Sequence, residues 1–205
     1  MQFIFDLDGT LLDSQEGVLD SLKYSVEKHA PSYLDKLHKG LIGPPIRDLL
    51  GRIMSNKDLI SAISIEFRTH YYNKGALKTK LFPGVYQGLQ ELSKGNTILV
   101  STNKPLVPTK KILDLLKINN FIYNTITIDS GKFKNKSDIV KKILSTNNKN
   151  NSVVIGDSFD DYESAKNNGV DFIYCSYGYG YVDYIDQSIV TVDTPNAMFK
   201  ALNRL

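Results

Sequence analysis

From residue 97 onward, short apolar runs alternate with helical stretches, and this alternation constrains the fold more than any other feature of the chain. Thr97-Ile98-Leu99-Val100-Ser101, Thr125-Ile126-Thr127-Ile128, Ser152-Val153-Val154-Ile155-Gly156 and Val170-Asp171-Phe172-Ile173-Tyr174 have the length and composition of strands. Residues 108–117, 137–145 and 160–168 read as the helices between them. Repeated strand–helix–strand units imply right-handed crossovers and a parallel sheet with helices on both faces. One more apolar strand, residues 2–6, stands apart at the N-terminus.

The intervening segment is helical. Val18, Leu19, Leu22 and Val26 recur with helical period, as do Ile46, Leu49, Leu50, Ile53 and Met54, and again Leu59, Ile60, Ile63 and Phe67. Gly43-Pro44-Pro45 separates two of these helices, and nothing over 15–80 reads as a strand. Pro83 is expected to open a helix carrying Val85, Leu89 and Leu92, in a first-turn position that proline tolerates. Asn147-Asn148-Lys149-Asn150-Asn151 reads as a solvated turn, and Pro195 to Leu205 as a short closing helix. The expectation is an α/β chain with a doubly wound, Rossmann-like parallel sheet. Residues 1–14 and 82–205 would form that core, and residues 15–81 an inserted helical cap.

The candidate chemistry lies where strands end, which is where open parallel sheets bind ligands. Phe3-Ile4-Phe5-Asp6-Leu7-Asp8-Gly9-Thr10 puts two carboxylates two residues apart just before a glycine turn. Alternation sends both to one side, where they repel unless a cation or proton intervenes. A carboxylate nucleophile splits phosphate-ester hydrolysis into two easier steps, and Asp6 fits that role. Mg²⁺ favours one or two carboxylates together with water and phosphate oxygens, and Asp6 and Asp157 are candidate donors. Asp8 fits a general acid that becomes a base in the second step. Gly9 lets backbone N–H groups approach a phosphate closely, and Thr10 is expected to hold Asp8 through its hydroxyl. Ser101-Thr102-Asn103-Lys104-Pro105, after the strand at 97–101, offers hydroxyls and an amide to phosphate oxygens. Lys132, Lys134 and Lys136 compete to balance the charge, and Ser137-Asp138, resembling a helix start, favour Lys136. In Gly156-Asp157-Ser158-Phe159-Asp160-Asp161, Asp160 reads as an acid favoured by a helix N-terminus. Ala165 and Gly169 fit close packing of the following helix on the sheet.

Asp6-Leu7-Asp8-Gly9-Thr10-Leu11-Leu12-Asp13-Ser14 resembles the first motif of the haloacid dehalogenase-like (HAD) hydrolases, and within them phosphoglycolate phosphatase and its sugar-phosphatase relatives. The resemblance covers nearly the whole chain. It implies that the backbone carbonyl of Asp8 joins the metal ligands. It selects Thr102 over Ser101, and it places the site lysine just before a helix, at Lys136, although Ser137 stands where related sequences often carry proline. Gly156-Asp157 through Asp161 matches the family's Gly-Asp-x-x-x-Asp, making Asp157 a ligand and Asp161 a ligand or an orienter of metal-bound water. Gly43-Pro44-Pro45-Ile46-Arg47 resembles a cap segment near the substrate, with Arg47 a candidate grip on carboxylate or phosphate.

The bulk properties narrow the rest. The chain has 205 residues, 41% of them hydrophobic, enough for a self-sufficient core. A net charge of +3 with scattered lysines does not suit nucleic acid. One cysteine, Cys175, excludes an internal disulfide, reads as a small buried residue and fits a reducing compartment. His29, His38 and His70 lack ligand spacing. No leader or membrane-spanning run is legible, so a cytoplasmic location is expected. The expected activity is that of a Mg²⁺-dependent phosphatase of a small phosphorylated metabolite, working as a monomer or homodimer. A phosphosugar mutase of the β-phosphoglucomutase type would share Asp6, Asp8 and the metal site, and a non-catalytic binding protein would share only the fold. A dehalogenase has no use for Asp8, and a phosphonate hydrolase needs a cap lysine that no motif supplies.

Overall fold

The computed structural model describes residues 1–146, 151–180, 186 and 188–205. The asparagine-rich run therefore lies, except for Asn151, outside the described residues. The chain divides into two compact units, one of Met1–Asp13 with Leu81–Leu205 and the other of Ser14–Lys80.

The first unit is built on six parallel strands: β1 (Gln2–Phe5), β4 (Thr97–Thr102), β5 (Asn124–Thr127), β6 (Ser152–Gly156), β7 (Asp171–Cys175) and β8 (Val190–Val192). Two shorter strands, β2 (Leu12–Asp13) and β3 (Lys80–Leu81), pair in a separate sheet. The order in the large sheet is β5-β4-β1-β6-β7-β8. The first strand in sequence is thus central in space, with Phe5 in register with Val100 on one side and Ile155 on the other. A strand covered on both faces has no polar side, which is why β1 and β6 read as unbroken apolar runs. Phe3, Ile4 and Phe5 are fully buried.

Helices α4 (Val85–Leu92), α5 (Leu106–Leu115), α6 (Lys136–Ser145), α7 (Phe159–Asn168) and α8 (Pro195–Leu202) complete this unit, with α1 to α3 lying in the second. Ile139, Val140 and Ile143 of α6 and Ala165 of α7 pack with Ile4, Leu99, Val154 and Phe172 of the sheet. Phe199 of α8 lies 6.3 Å, ring to ring, from Phe5.

Several boundaries differ from the sequence reading. α4 begins after Gly84, whose φ of 89° only glycine adopts easily, so Pro83 lies outside the helix. α5 begins two residues earlier than expected, immediately after Pro105. Gly169 does not pack a helix on the sheet; it ends α7 in the left-handed conformation, with φ 61°. The strand Val190–Val192 gives little sign of itself, because two of its three residues are exposed at the sheet edge.

The second unit contains α1 (Gln15–His29), α2 (Ile46–Gly51) and α3 (Lys57–Asn73). Leu22, Val26, Leu49, Leu50 and Ile63 form its buried cluster. Asn56 caps α3 by accepting the N–H groups of Asp58 and Leu59, both at 3.1 Å. Among the described residues no helix is long and apolar enough to cross a membrane.

The central strand sets a stability test. Ile4→Ala leaves a cavity between the sheet and helices α6 and α7, and is expected to cost about 2–5 kcal/mol in a urea unfolding titration. A loss below about 1 kcal/mol would mean that the sheet centre is not close-packed.

Candidate active site

The site is assembled from the carboxyl ends of β1, β4 and β6, with one residue from the start of α6. Asp6 follows β1 directly, and its backbone N–H donates to Ile155 O at 2.9 Å, which fixes the strand end against β6. Its carboxylate is buried. Lys136 is the first residue of α6 rather than the residue before it, and only 4% of its side chain is exposed. Its ammonium pairs with Asp6 Oδ1 and also lies 2.5 Å from Asp161 Oδ1. Asn135 caps α6 by accepting the N–H of Asp138 at 3.1 Å, so the same cap that starts the helix aims the lysine.

Asp161 sits in the first turn of α7, where it forms a capping box with Ser158. Its Oδ2 accepts from Ser158 N–H at 3.1 Å and Ser158 Oγ at 2.5 Å. Its Oδ1 is buried and faces the lysine ammonium, its ion-pair partner. Oxygens of Asp6, Asp157 and Asp161 all lie within 4.8 Å of one another.

Three clustered, buried carboxylates share one buried ammonium, which pairs with two of them, and the balance is negative. Burial pushes the Asp6 carboxyl well above its usual range; Lys136 pulls it back, while Asp161 and Asp157 add to the rise. Burial would lower the Lys136 ammonium, but Asp161 and Asp6 outweigh it and keep the group cationic. Burial and Asp161 push the Asp157 carboxyl up to about 7, against hydrogen bonds from Gly180 and Tyr179 that favour the anion. A cluster that holds protons this tightly is short of positive charge. Hard carboxylate oxygens from three residues, all within 4.8 Å of one another, fit a divalent cation.

Asp157 is held by a cradle. The backbone N–H groups of Tyr179 and Gly180 donate to Oδ2 at 2.9 and 2.7 Å. Thr10 Oγ1 donates to Oδ1 at 3.3 Å. This corrects the expectation that Thr10 would hold Asp8, because the turn after β1 carries the hydroxyl toward β6. Tyr177 and Tyr179 tie the loop down through their hydroxyls, which donate to Thr10 O at 2.7 Å and Leu12 O at 3.4 Å. Two glycines make the close approach possible. Gly9 has φ 90°, and a Cβ there would overlap the Asp157 carboxylate. A Cβ at Gly178 would overlap Asp157 and the Gly9 carbonyl.

The side chain of Asp8 is not one of the three clustered carboxylates. It pairs with Lys104, Nζ to Oδ2 3.0 Å. Thr102 is buried at the end of β4, and its Oγ1 accepts the N–H of Lys104 at 3.1 Å. Asn103 donates to Asp160 Oδ2 at 3.1 Å, so the acid at the start of α7 also has a neighbour from β4. Arg47 is an exposed residue of α2 in the second unit.

Comparison with known proteins now decides the family. A family model described as haloacid dehalogenase-like hydrolase matches residues 3–175. The chain is a haloacid dehalogenase-like hydrolase. A phosphoglycolate phosphatase from Agrobacterium fabrum is 29% identical over 215 residues, covering 97% of this chain and 91% of that protein. The tyrosine-protein kinase PtkA of Mycobacterium tuberculosis is also 29% identical, over 204 residues, covering 97% of this chain and 70% of that protein. A haloacid dehalogenase-like family hydrolase from Streptococcus pneumoniae superposes with a TM-score of 0.85 at 23% identity, covering 98% and 97% of the two chains; at that identity the likeness is one of fold. The resemblance to phosphoglycolate-phosphatase-like HAD proteins is upheld.

One part of this hydrolase's site escaped the sequence reading, the Tyr177-Gly178-Tyr179-Gly180 loop, for which the alternating glycines after a strand were a signal. Lys104 stands in the Ser101–Pro105 motif, but nothing in the sequence marks its pairing with Asp8.

The Asp157 shift gives a signed prediction. Its folded carboxyl protonates near 7 and the unfolded one near 3.8, so the folded state holds the extra proton between those values. The Asp157 contribution to stability of the metal-free protein is full below about pH 4 and is lost as pH rises to about 7. Measured as the difference from Asp157→Asn, wild type should lose on the order of a few kcal/mol across that window. A flat difference would remove the claim. Gly178→Ala, by displacing Asp157, should weaken binding of a divalent cation about 10–100-fold in isothermal titration calorimetry. Unchanged affinity would show that the cradle does not set the carboxylate.

Proposed function

We propose that this chain is a Mg²⁺-dependent phosphatase of a small phosphomonoester, of the phosphoglycolate or sugar-phosphate kind, acting through an aspartyl-phosphate on Asp6. The observation that carries the reading is the convergence of Asp6, Lys136, and Asp157 with Asp161, from three separated segments, in one buried cluster.

Asp6, Asp157 and Asp161 would hold the ion, with the Asp8 carbonyl as the family resemblance implies. Bound there, Mg²⁺ would offset the repulsion between a carboxylate and a phosphate. Asp6 attacks phosphorus and the bond to the leaving oxygen breaks. Asp8 gives that oxygen its proton. Water then attacks phosphorus, Asp8 takes the water's proton, and Asp6 departs as a carboxylate. Thr102, Asn103 and the backbone at Gly9 bind phosphate oxygens, and Lys136 holds Asp6 in line. Residues 15–81 act as a cap that excludes water and selects the leaving group, with Arg47 gripping a substrate carboxylate or phosphate. The buried thiol of Cys175 accords with a cytoplasmic setting. The substrate is a small metabolite, and the working unit a monomer or homodimer.

Transfer of the same phosphoryl group to a sugar hydroxyl would make the chain a mutase, and a relative named as a tyrosine-protein kinase adds ATP to the donors worth testing. The deciding screen measures phosphate release from phosphoglycolate, sugar phosphates, nucleotides and ATP, with and without Mg²⁺. Release should require Mg²⁺, and Asp6→Asn should reduce it at least 10³-fold, roughly the scale on which nucleophile removal acts. Near-wild-type turnover in Asp6→Asn would overturn the assignment. Glucose 6-phosphate formed from glucose 1-phosphate, in place of free phosphate, would identify a mutase.

A further inference from the structure

Each of the two acids given chemical roles has its own lysine. Lys136 faces Asp6, and Lys104 faces Asp8. We propose that Lys104 is a positioning residue for Asp8, holding the proton-transferring carboxylate at the angle its two steps require. The inference rests on the phosphatase reading above.

Asp8 needs such a restraint. It lies in the turn between β1 and Leu12, just before the left-handed Gly9, and 26% of its side chain is exposed. A carboxylate that open to water has more than one rotamer within reach. A general acid must lie within hydrogen-bond distance of the leaving oxygen, and an error of about 1 Å can cost 10²-fold.

Lys104 is built to supply the restraint. Only 7% of its side chain is exposed, so the stem is packed and the ammonium does not range through solvent. Its own N–H is fixed on Thr102 Oγ1 at 3.1 Å. The next residue, Pro105, has φ −62° and is the N-cap of α5. The tether therefore runs from a pinned turn after β4 to the turn after β1, and these two strands are paired neighbours. An exposed lysine–aspartate pair has little worth, but this lysine is almost wholly withdrawn from water.

The leaving group separates positioning from other roles. An alkyl phosphate needs a proton on its departing oxygen, whereas 2,4-dinitrophenyl phosphate releases a stable phenolate and needs none. The test compares kcat/KM of the full chain with Mg²⁺ for both ester types, using phosphoglycolate and glucose 6-phosphate as the alkyl probes. The proteins are wild type, K104M, K104R, D8N and K104M/D8N. K104M should lower kcat/KM for the alkyl ester about tenfold or more, without exceeding the roughly 10²–10⁴ that acid–base catalysis contributes in full, and change the aryl ester less than about threefold. K104R should recover most of the loss. K104M should cost nothing further when Asp8 is already Asn.

Equal losses on both esters, a rise in KM alone, additive losses in the double variant, or no loss would each overturn the proposal. Activity of wild type on the aryl ester alone would do the same, since no proton donor would then be at work. If wild type hydrolyses neither ester, the phosphatase reading falls and this inference with it. An active wild type with an indifferent K104M sinks Lys104 alone.

Discussion

A lysine ammonium buried between two carboxylates organises this molecule. Lys136 reaches Asp6 from the start of α6 and Asp161 from the start of α7, so one side chain ties the end of the central strand to two helices. Removing one partner of such a group leaves a buried charge uncompensated, which typically costs 3–5 kcal/mol. The tie is also incomplete, since Asp157 brings a third carboxylate that the lysine cannot neutralise. The scaffold thus carries a deficit of positive charge at its centre, and a cation or bound protons make up the difference. The apolar sheet beneath, with Phe3, Ile4 and Phe5 fully buried, supplies the stability that permits this.

The topology explains why residues so far apart in sequence meet. Because β1 occupies the middle of the sheet, the chain passes β4 and β5 on one side of it and β6, β7 and β8 on the other. The order reverses at β1, and a crevice opens there beyond the strand ends. Asp6, Thr102 and Asp157 stand at the ends of three adjacent strands, and the loop after β7 closes over Asp157. Each acid is aimed by a local device: Asp6 by a ladder bond to Ile155, Asp161 by its capping box, Asp157 by two backbone N–H groups and Thr10.

Much of this was legible before any coordinates. Period-2 and period-3.6 patterning marked the strands and helices, since burying a strand on both faces or a helix on one leaves a direct imprint on residue order. Asp6, Asp157, Asp161 and Lys136 were all named from the sequence, and the structure brings them together. The errors have a common physical cause. Thr10 holds Asp157 instead of Asp8 because the direction of a turn after a strand depends on the φ of Gly9, which residue identity permits but does not dictate. The start of α4 was misplaced because Pro83 tolerates a helix start without requiring one, while Gly84 supplies the positive φ that precedes it. Lys104 stands in a motif legible in the sequence, but its pairing with Asp8 was not, because that pairing spans 3.0 Å of space to a residue in another segment.

The residue order alone marked the five longer strands of the main sheet, the helices between them, and which acids follow strand ends, because these depend on local periodicity and on glycine, proline and capping residues a few positions away. The tertiary structure decided which acid faces which cation. Lys136 meets Asp6 and Asp161, Lys104 meets Asp8, and Thr10 meets Asp157 because strands distant in sequence are hydrogen-bonded neighbours in the sheet. Coulomb interactions and hydrogen bonds act over a few ångströms of space, and chain distance does not measure that separation.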